Sequence, residues 1–237
     1  MNQGPLLFLG IFAAFVTSWC GLVFAPQIQI GRQNLGTNTV NDALYPSDRP
    51  GQAKQGAEVY RAQGCAACHT QQVRAKGFGS DLDRGWGARH SVAQDYIFDR
   101  PVLLGSQRIG PDLANIGLRQ TNAAVLFAHL YNPQRAVPGS MMPPYRFLFE
   151  EHKLKPGQSS SPDALPASVT GITQDVSKDT GSSDREIVPR EDAYALVAYL
   201  MSLHADAFLF EAPNPVRPTK AKGTNAPASV ATNAPPK

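Results

Sequence analysis

The chain has 237 residues and a formal net charge of +3, from 22 basic and 19 acidic side chains, which suits one compact domain with attachments or two small domains. So small a charge excess gives a nucleic-acid partner no support, and three cysteines are too few for a disulfide-dense secreted scaffold. A hydrophobic fraction of 42% with 20 Gly and 20 Pro excludes collagen-like, coiled-coil and multi-span membrane classes and leaves a loop-rich globular domain.

The first element is the run from Leu6 to Phe24, 19 residues without a charge. As a helix at ~1.5 Å per residue it spans about 28 Å, close to a hydrocarbon core of ~30 Å. Trp19 lies near its end, where an indole suits the headgroup level. A cleaved signal peptide is the rival reading. No Lys or Arg precedes the run, however, and no A-x-A site follows it. A lipid anchor at Cys20 is disfavoured by the bulk of Trp19. Residues 1–31 are therefore expected to form a transmembrane anchor, with the helix at about 6–24. The absence of basic residues before the helix, and Arg32 and Arg49 after it, mildly favour a cytoplasmic main domain.

Residues 32–50 are polar and turn-rich and read as a linker. A main domain over 51–206 follows. Its predicted elements are a short amphipathic helix from Gly51 to Gly64 and a helix from Ala123 to Tyr131, capped by Thr121 or Asn122 and stopped at Asn132-Pro133. A Pro/Ser/Gly/Asp-rich segment at 155–185 is expected to be a flexible insert. A last helix opens at Pro189, its apolar face made of Ala193, Leu196, Val197, Leu200 and Met201. Residues 207–237 are expected to be a disordered tail. No alternation long enough for a strand is evident, so the predicted fold class is all-α.

The chemistry centres on Cys65-Ala66-Ala67-Cys68-His69. C-x-x-C-H is the attachment signature of haem c: two thiols reach the two vinyl groups and the imidazole lies under the iron. Zinc wants a second pair of Cys or His ligands, and the third cysteine, Cys20, lies in the apolar run. A thioredoxin-like pair wants a βαβ context that is not seen. For the sixth iron ligand, Met1 begins the chain and Met201 belongs to a core stripe. That leaves Met141 and Met142 in Pro138-Gly-Ser-Met-Met-Pro-Pro-Tyr145, with Met142 favoured because the following proline stiffens its backbone. A second histidine (His90, His129, His152 or His204) is the alternative. In Gly110-Pro111-Asp112-Leu113, the Pro111 carbonyl could accept the His69 Nδ1 proton, with Leu113 packing on the haem edge. Haem c is attached outside the cytoplasm, which outweighs the charge signal and places the main domain on the periplasmic side.

Beyond the haem motif, several strings carry a resemblance. They are Gly10-Ile11-Phe12, Ser18-Trp19, Gly64 to Arg74 (ending Gln71-Gln72-Val73-Arg74), Asp83-Arg84-Gly85-Trp86-Gly87, Ser91 to Tyr96, Leu104 to Leu113 and Pro138 to Tyr145. Together the chain resembles the membrane-anchored mono-haem subunit, of the FixO type, of cbb3-type cytochrome c oxidases. The resemblance implies a cytochrome c domain hung from one transmembrane helix in a bacterial inner membrane. It implies haem c joined through Cys65 and Cys68, with His69 and Met142 as iron ligands. It further implies electron transfer to a catalytic haem b/copper subunit that reduces O2 and pumps protons, the electrons coming from a di-haem cytochrome c subunit or a soluble cytochrome c. A Ca2+ shared at the subunit junction, with Ser106 as a ligand, belongs to the same implication. Arg84, Arg89 and Arg108 are candidates to meet the catalytic subunit or haem propionates. Two other functions stay open on the residues alone: a free-standing membrane-tethered cytochrome shuttle, and a haem enzyme or sensor with an open iron position.

Overall fold

The computed structural model describes residues 3–31, 33–155, 160–170 and 185–213. Most of the predicted insert at 155–185, and 214–237 of the predicted tail, lie outside the described residues.

The apolar run folds as a longer helix than its hydropathy alone marks out. Helix α1 (Gly4–Trp19) passes through a π-helical stretch, Cys20–Phe24, into α2 (Ala25–Ile30). The span long and apolar enough to cross a membrane is Gly4–Gln29, and none of its apolar window is buried in the protein. Pro26 explains the widened turn. It has no N–H for the carbonyl four residues back, and the Ala25 N–H bonds to the Cys20 carbonyl five residues back. The π winding brings Trp19 and Phe24 onto one face, their rings stacked at 5.8 Å.

The segment read as a linker contains a hairpin, β1 (Gly36–Thr37) and β2 (Leu44–Tyr45), paired Gly36 to Tyr45 and Thr37 to Leu44. Helix α3 (Gly51–Ala62) follows, then the short helices α4 (Ile116–Arg119), α5 (Ala123–Tyr131) and α6 (Pro133–Ala136). Asn122 caps α5 by accepting the Ala124 N–H at 2.9 Å. Strand β3 (Phe149–Lys153), helix α7 (Ala167–Thr170), strand β4 (Arg185–Pro189) and helix α8 (Glu191–Met201) complete the described elements.

The central packing is α3 against α8. Ala53, Gly56 and Tyr60, spaced three and four apart, form the buried face of α3. Gly56 is where the two backbones touch. A Cβ there would collide with the Ala195 carbonyl and lie 2.7 Å from Tyr199 Cβ. One turn on, Tyr60 and Tyr199 meet with ring centroids 5.4 Å apart. Leu126, Phe127, Leu130, Leu148, Leu196 and Leu200 extend this core beneath α5.

Three expectations are corrected. The described fold is helix-rich but not all-α, because it contains two antiparallel two-stranded sheets. Strand β3 pairs with β4 from Phe149–Pro189 to Lys153–Arg185, so Pro189 ends a strand and the helix starts two residues later. Only one residue of Phe149–Lys153 is buried, so no alternating pattern could announce it. The ribbon rests on backbone pairing and charge pairs such as Arg185–Glu151 at 2.8 Å. The predicted tail also begins too early. Ala207, Leu209 and Ala212 are buried, and the Phe208 carbonyl accepts the Thr39 N–H at 2.8 Å.

Candidate haem-binding site

Cys65, Cys68 and His69 occupy one turn immediately after α3. A 3-10 turn, Cys65–Ala67, is closed by the Cys68 and His69 N–H groups donating to the Cys65 carbonyl at 3.2 and 3.0 Å. No disulfide joins the cysteines. The Cys65 thiol is half-buried beside the Tyr145 hydroxyl, and burial pushes it up to about 11 despite that hydrogen bond. Tyr145 is pushed up to about 12 by burial and by the Cys65 sulfur. A thiol held protonated is the reverse of a redox-exchange cysteine, which needs a lowered pKa. Among the described residues no group of three or more His, Cys, Asp or Glu side chains converges, so the pair lacks the further ligands of a zinc site.

His69 is oriented from the other side of the turn. Its Nδ1 lies 2.8 Å from the Pro111 carbonyl oxygen. A carbonyl only accepts, so Nδ1 carries the proton and Nε2 presents its lone pair. Burial lowers the His69 pKa, while the Pro111 bond and the Asp112 charge oppose that shift. The result favours the neutral imidazole that a metal ligand must be. Gly110 lies directly over the ring; a Cβ there would collide with the imidazole, at 2.7 Å from Nδ1 and from Nε2.

Asp112 fixes the 110–113 loop against the 69–72 segment. Its fully buried carboxylate accepts from Thr70 Oγ1 and the Gln72 N–H, both at 2.7 Å, and from the Ala114 N–H at 2.9 Å. The Leu113 N–H donates to the Thr70 carbonyl at 2.7 Å, and its side chain enters the core. Arg119 donates through Nη2 to the Asp112 carbonyl. Its Nε is buried with no hydrogen-bond partner, and burial lowers its pKa. An orphaned guanidinium N–H near a neutral, oriented imidazole fits a group bearing both an iron and carboxylates.

The two candidate methionines separate cleanly. Met141 is 79% exposed, whereas Met142 is half-buried and packs against the core, as do Cys65, Ala66 and Tyr145. The loop is tied to α5 by the Tyr145 N–H donating to the Leu130 carbonyl at 2.9 Å. Among the histidines, His129 on α5 is half-buried, its pKa lowered chiefly by that burial. His152 lies exposed on β3, with Nε2 3.3 Å from Glu150. Exposed His204 has Nε2 2.6 Å from the Met201 carbonyl. His90 is half-buried and its carbonyl accepts from Arg89.

Of the three arginines expected to meet a partner or propionates, Arg89 is turned inward. Arg89 is 1% exposed, pairs with Asp95 at 2.6 and 3.0 Å and donates to the Ala207 carbonyl, so it is an internal brace. Arg108 pairs with fully buried Asp81 at 2.5 Å. Arg84 is exposed, over the Trp86 ring at 5.0 Å. Ser106 is exposed and its N–H donates to the Ala66 carbonyl. Sequence reasoning missed Asp81, Asp112 and Arg119 as builders of this region. Their only signal was charge inside an otherwise loop-like stretch.

No curated protein matches this chain. A family model does, over residues 6–162, well over half of the sequence. That match contains the apolar helix, the attachment turn, the Pro111 loop and the Met142 loop. The chain therefore belongs to the family described as cytochrome c oxidase, mono-heme subunit/FixO.

Proposed function

We propose that this chain carries one covalently bound haem c and passes electrons through it to the haem b/copper subunit of a cbb3-type oxidase. Membership of the family makes it a subunit of a cytochrome c oxidase complex with one haem. The observation that carries the finer reading is the Cys65–His69 turn with His69 Nδ1 held 2.8 Å from the Pro111 carbonyl. When bound, the haem supplies a one-electron iron couple. Cys65 and Cys68 would hold it as thioethers. His69 would present Nε2 to the iron, its proton retained at Nδ1 by Pro111. Gly110 leaves no side chain against the imidazole, and Met142 in the 138–145 loop would offer its thioether, a ligand that favours ferrous iron and a raised potential.

With His69 and Met142 both serving as ligands, this chain would leave the iron no site for O2, so O2 reduction and proton pumping would fall to the catalytic subunit. The donor is a di-haem cytochrome c subunit or a soluble cytochrome c, and the haem domain faces the periplasm. Purification from membranes with subunit identification and a pyridine haemochrome spectrum tests the assignment. The expected result is a two-thioether haem c co-purifying with a haem b/copper protein. Colourless material, or pigment stripped by acidified organic solvent, would refute covalent attachment. A coloured chain recovered alone would favour the free shuttle.

A further inference from the structure

The end of the apolar helix and the globular domain are joined through one side chain. Gln33 Nε2 donates to the Gln29 carbonyl in the last helical turn at 3.1 Å, and Gln33 Oε1 accepts from Gln94 Nε2 at 3.2 Å. The domain face around Gln94 therefore sits directly on the helix end, rather than at the far end of a slack tether. The β1–β2 hairpin and the 209–212 turn lie on that face. Gly36 lies against Gln94 and Leu209, and the Phe208 carbonyl accepts both the Thr39 N–H at 2.8 Å and its hydroxyl at 3.2 Å.

Each of the two neighbouring turns carries an apolar residue into solvent. Val40 at the hairpin tip is 58% exposed and Phe210 at the second turn 88%. Leu44 on the hairpin is also exposed, and Val40, Leu44, Phe98 and Phe208 line one groove of about 570 Å³. Both turns hold their shape by local bonds, the Asn38 N–H to the Ala43 carbonyl at 2.9 Å and the Ala212 N–H to the Leu209 carbonyl at 3.3 Å. The charged residues among 35–45 and 206–213 are Asp42, Asp206 and Glu211, all acidic. The tips themselves thus carry no cation that would draw them to anionic lipid, which leaves apolar burial as what could hold them there.

We infer that the paired turn tips at Val40 and Phe210 rest in the headgroup–acyl boundary of the bilayer that the helix crosses, fixing the domain against the membrane. The inference rests on the helix spanning the membrane. Its occupant is zwitterionic phospholipid, reached because the face continues from the anchor within one glutamine side chain.

The test uses the full haem-loaded chain in phosphatidylcholine vesicles, in a Cys20→Ser background. Nitroxide labels are placed through Val40→Cys, Phe210→Cys, Glu58→Cys (a solvent-exposed position on α3) and Phe12→Cys (within the anchor). Collision with lipid-soluble O2 and with water-soluble nickel chelate is then compared in the air-oxidised ferric state, each label read against its own relaxation without either reagent. The expected O2-to-nickel ratio at 40 and 210 is several-fold that at 58. Ratios at 40 and 210 equal to that at 58, with the label at 12 still lipid-exposed, would overturn the inference while leaving the anchor intact. A water-exposed label at 12 would overturn the spanning reading itself. Labels water-exposed in the isolated chain but shielded from both reagents in the assembled oxidase would assign the face to a subunit interface instead.

Discussion

At the scale of single residues, function depends on orientation more than on identity. Met141 and Met142 are chemically the same and adjacent, but only Met142 turns inward. Met142→Ala is expected to abolish the near-infrared sulfur-to-iron band of the oxidised haem and lower its reduction potential; Met141→Ala should do neither. Asp81 shows the electrostatic side of the same scale. Burial would raise its pKa, but hydrogen bonds from Arg74 and Arg108 hold it well below the usual carboxylate range. Asp81→Asn should cost about 2–3 kcal/mol at pH 7, the scale of a charged hydrogen bond inside a protein. Because the native pKa is depressed, that stabilisation is complete above the unfolded value of about 3.9 and is lost as pH falls towards the native one. Urea unfolding of the two proteins at pH 7 and pH 3 should therefore show a smaller gap in acid, and an unchanged gap would remove the ion pair as its cause.

At the scale of elements, contact distance decides what a helix needs. The α3–α8 crossing closes so tightly at Gly56 that the neighbouring helix backbone occupies the place of a side chain. Gly56→Ala is expected to cost about 1–3 kcal/mol, the usual penalty for overpacking, seen as a lowered Tm with the haem spectrum retained. Helix propensity alone gives the opposite sign, since alanine exceeds glycine by about 1 kcal/mol in a helix interior. The measurement thus separates close packing from local preference. α5 is the contrasting case. Its cap, length and stop are all local, and the structure reproduces Ala123–Tyr131 with Asn122 as the cap.

At the scale of the whole molecule, closure depends on residues far apart in sequence. The buried Arg89 guanidinium reaches the Ala207 carbonyl at 2.7 Å, and Leu209 is 2% exposed. Leu209→Ala should therefore cost about 2–5 kcal/mol, as for other buried leucines, and deleting residues 207–237 at least as much. Denaturant unfolding of the haem-loaded chain checks both; an unchanged midpoint would mean that this segment does not brace the domain.

The amino-acid sequence by itself determined what depends on neighbours along the chain. These are the apolar anchor, the attachment turn and the capped helix α5, each set by covalent spacing or by bonds within a few residues. The Pro111 carbonyl was legible for a different reason: it lies 42 residues from His69, and an attachment-motif imidazole needs an acceptor for its Nδ1 proton. Only the tertiary structure decided which charges are internal, that Arg89 braces the fold instead of facing a partner, and that residues 207–213 pack. It also decided that a strand ends where a helix was expected to begin. Those outcomes depend on burial and long-range backbone pairing, and neither leaves a period or a motif in a charged, glycine-rich stretch.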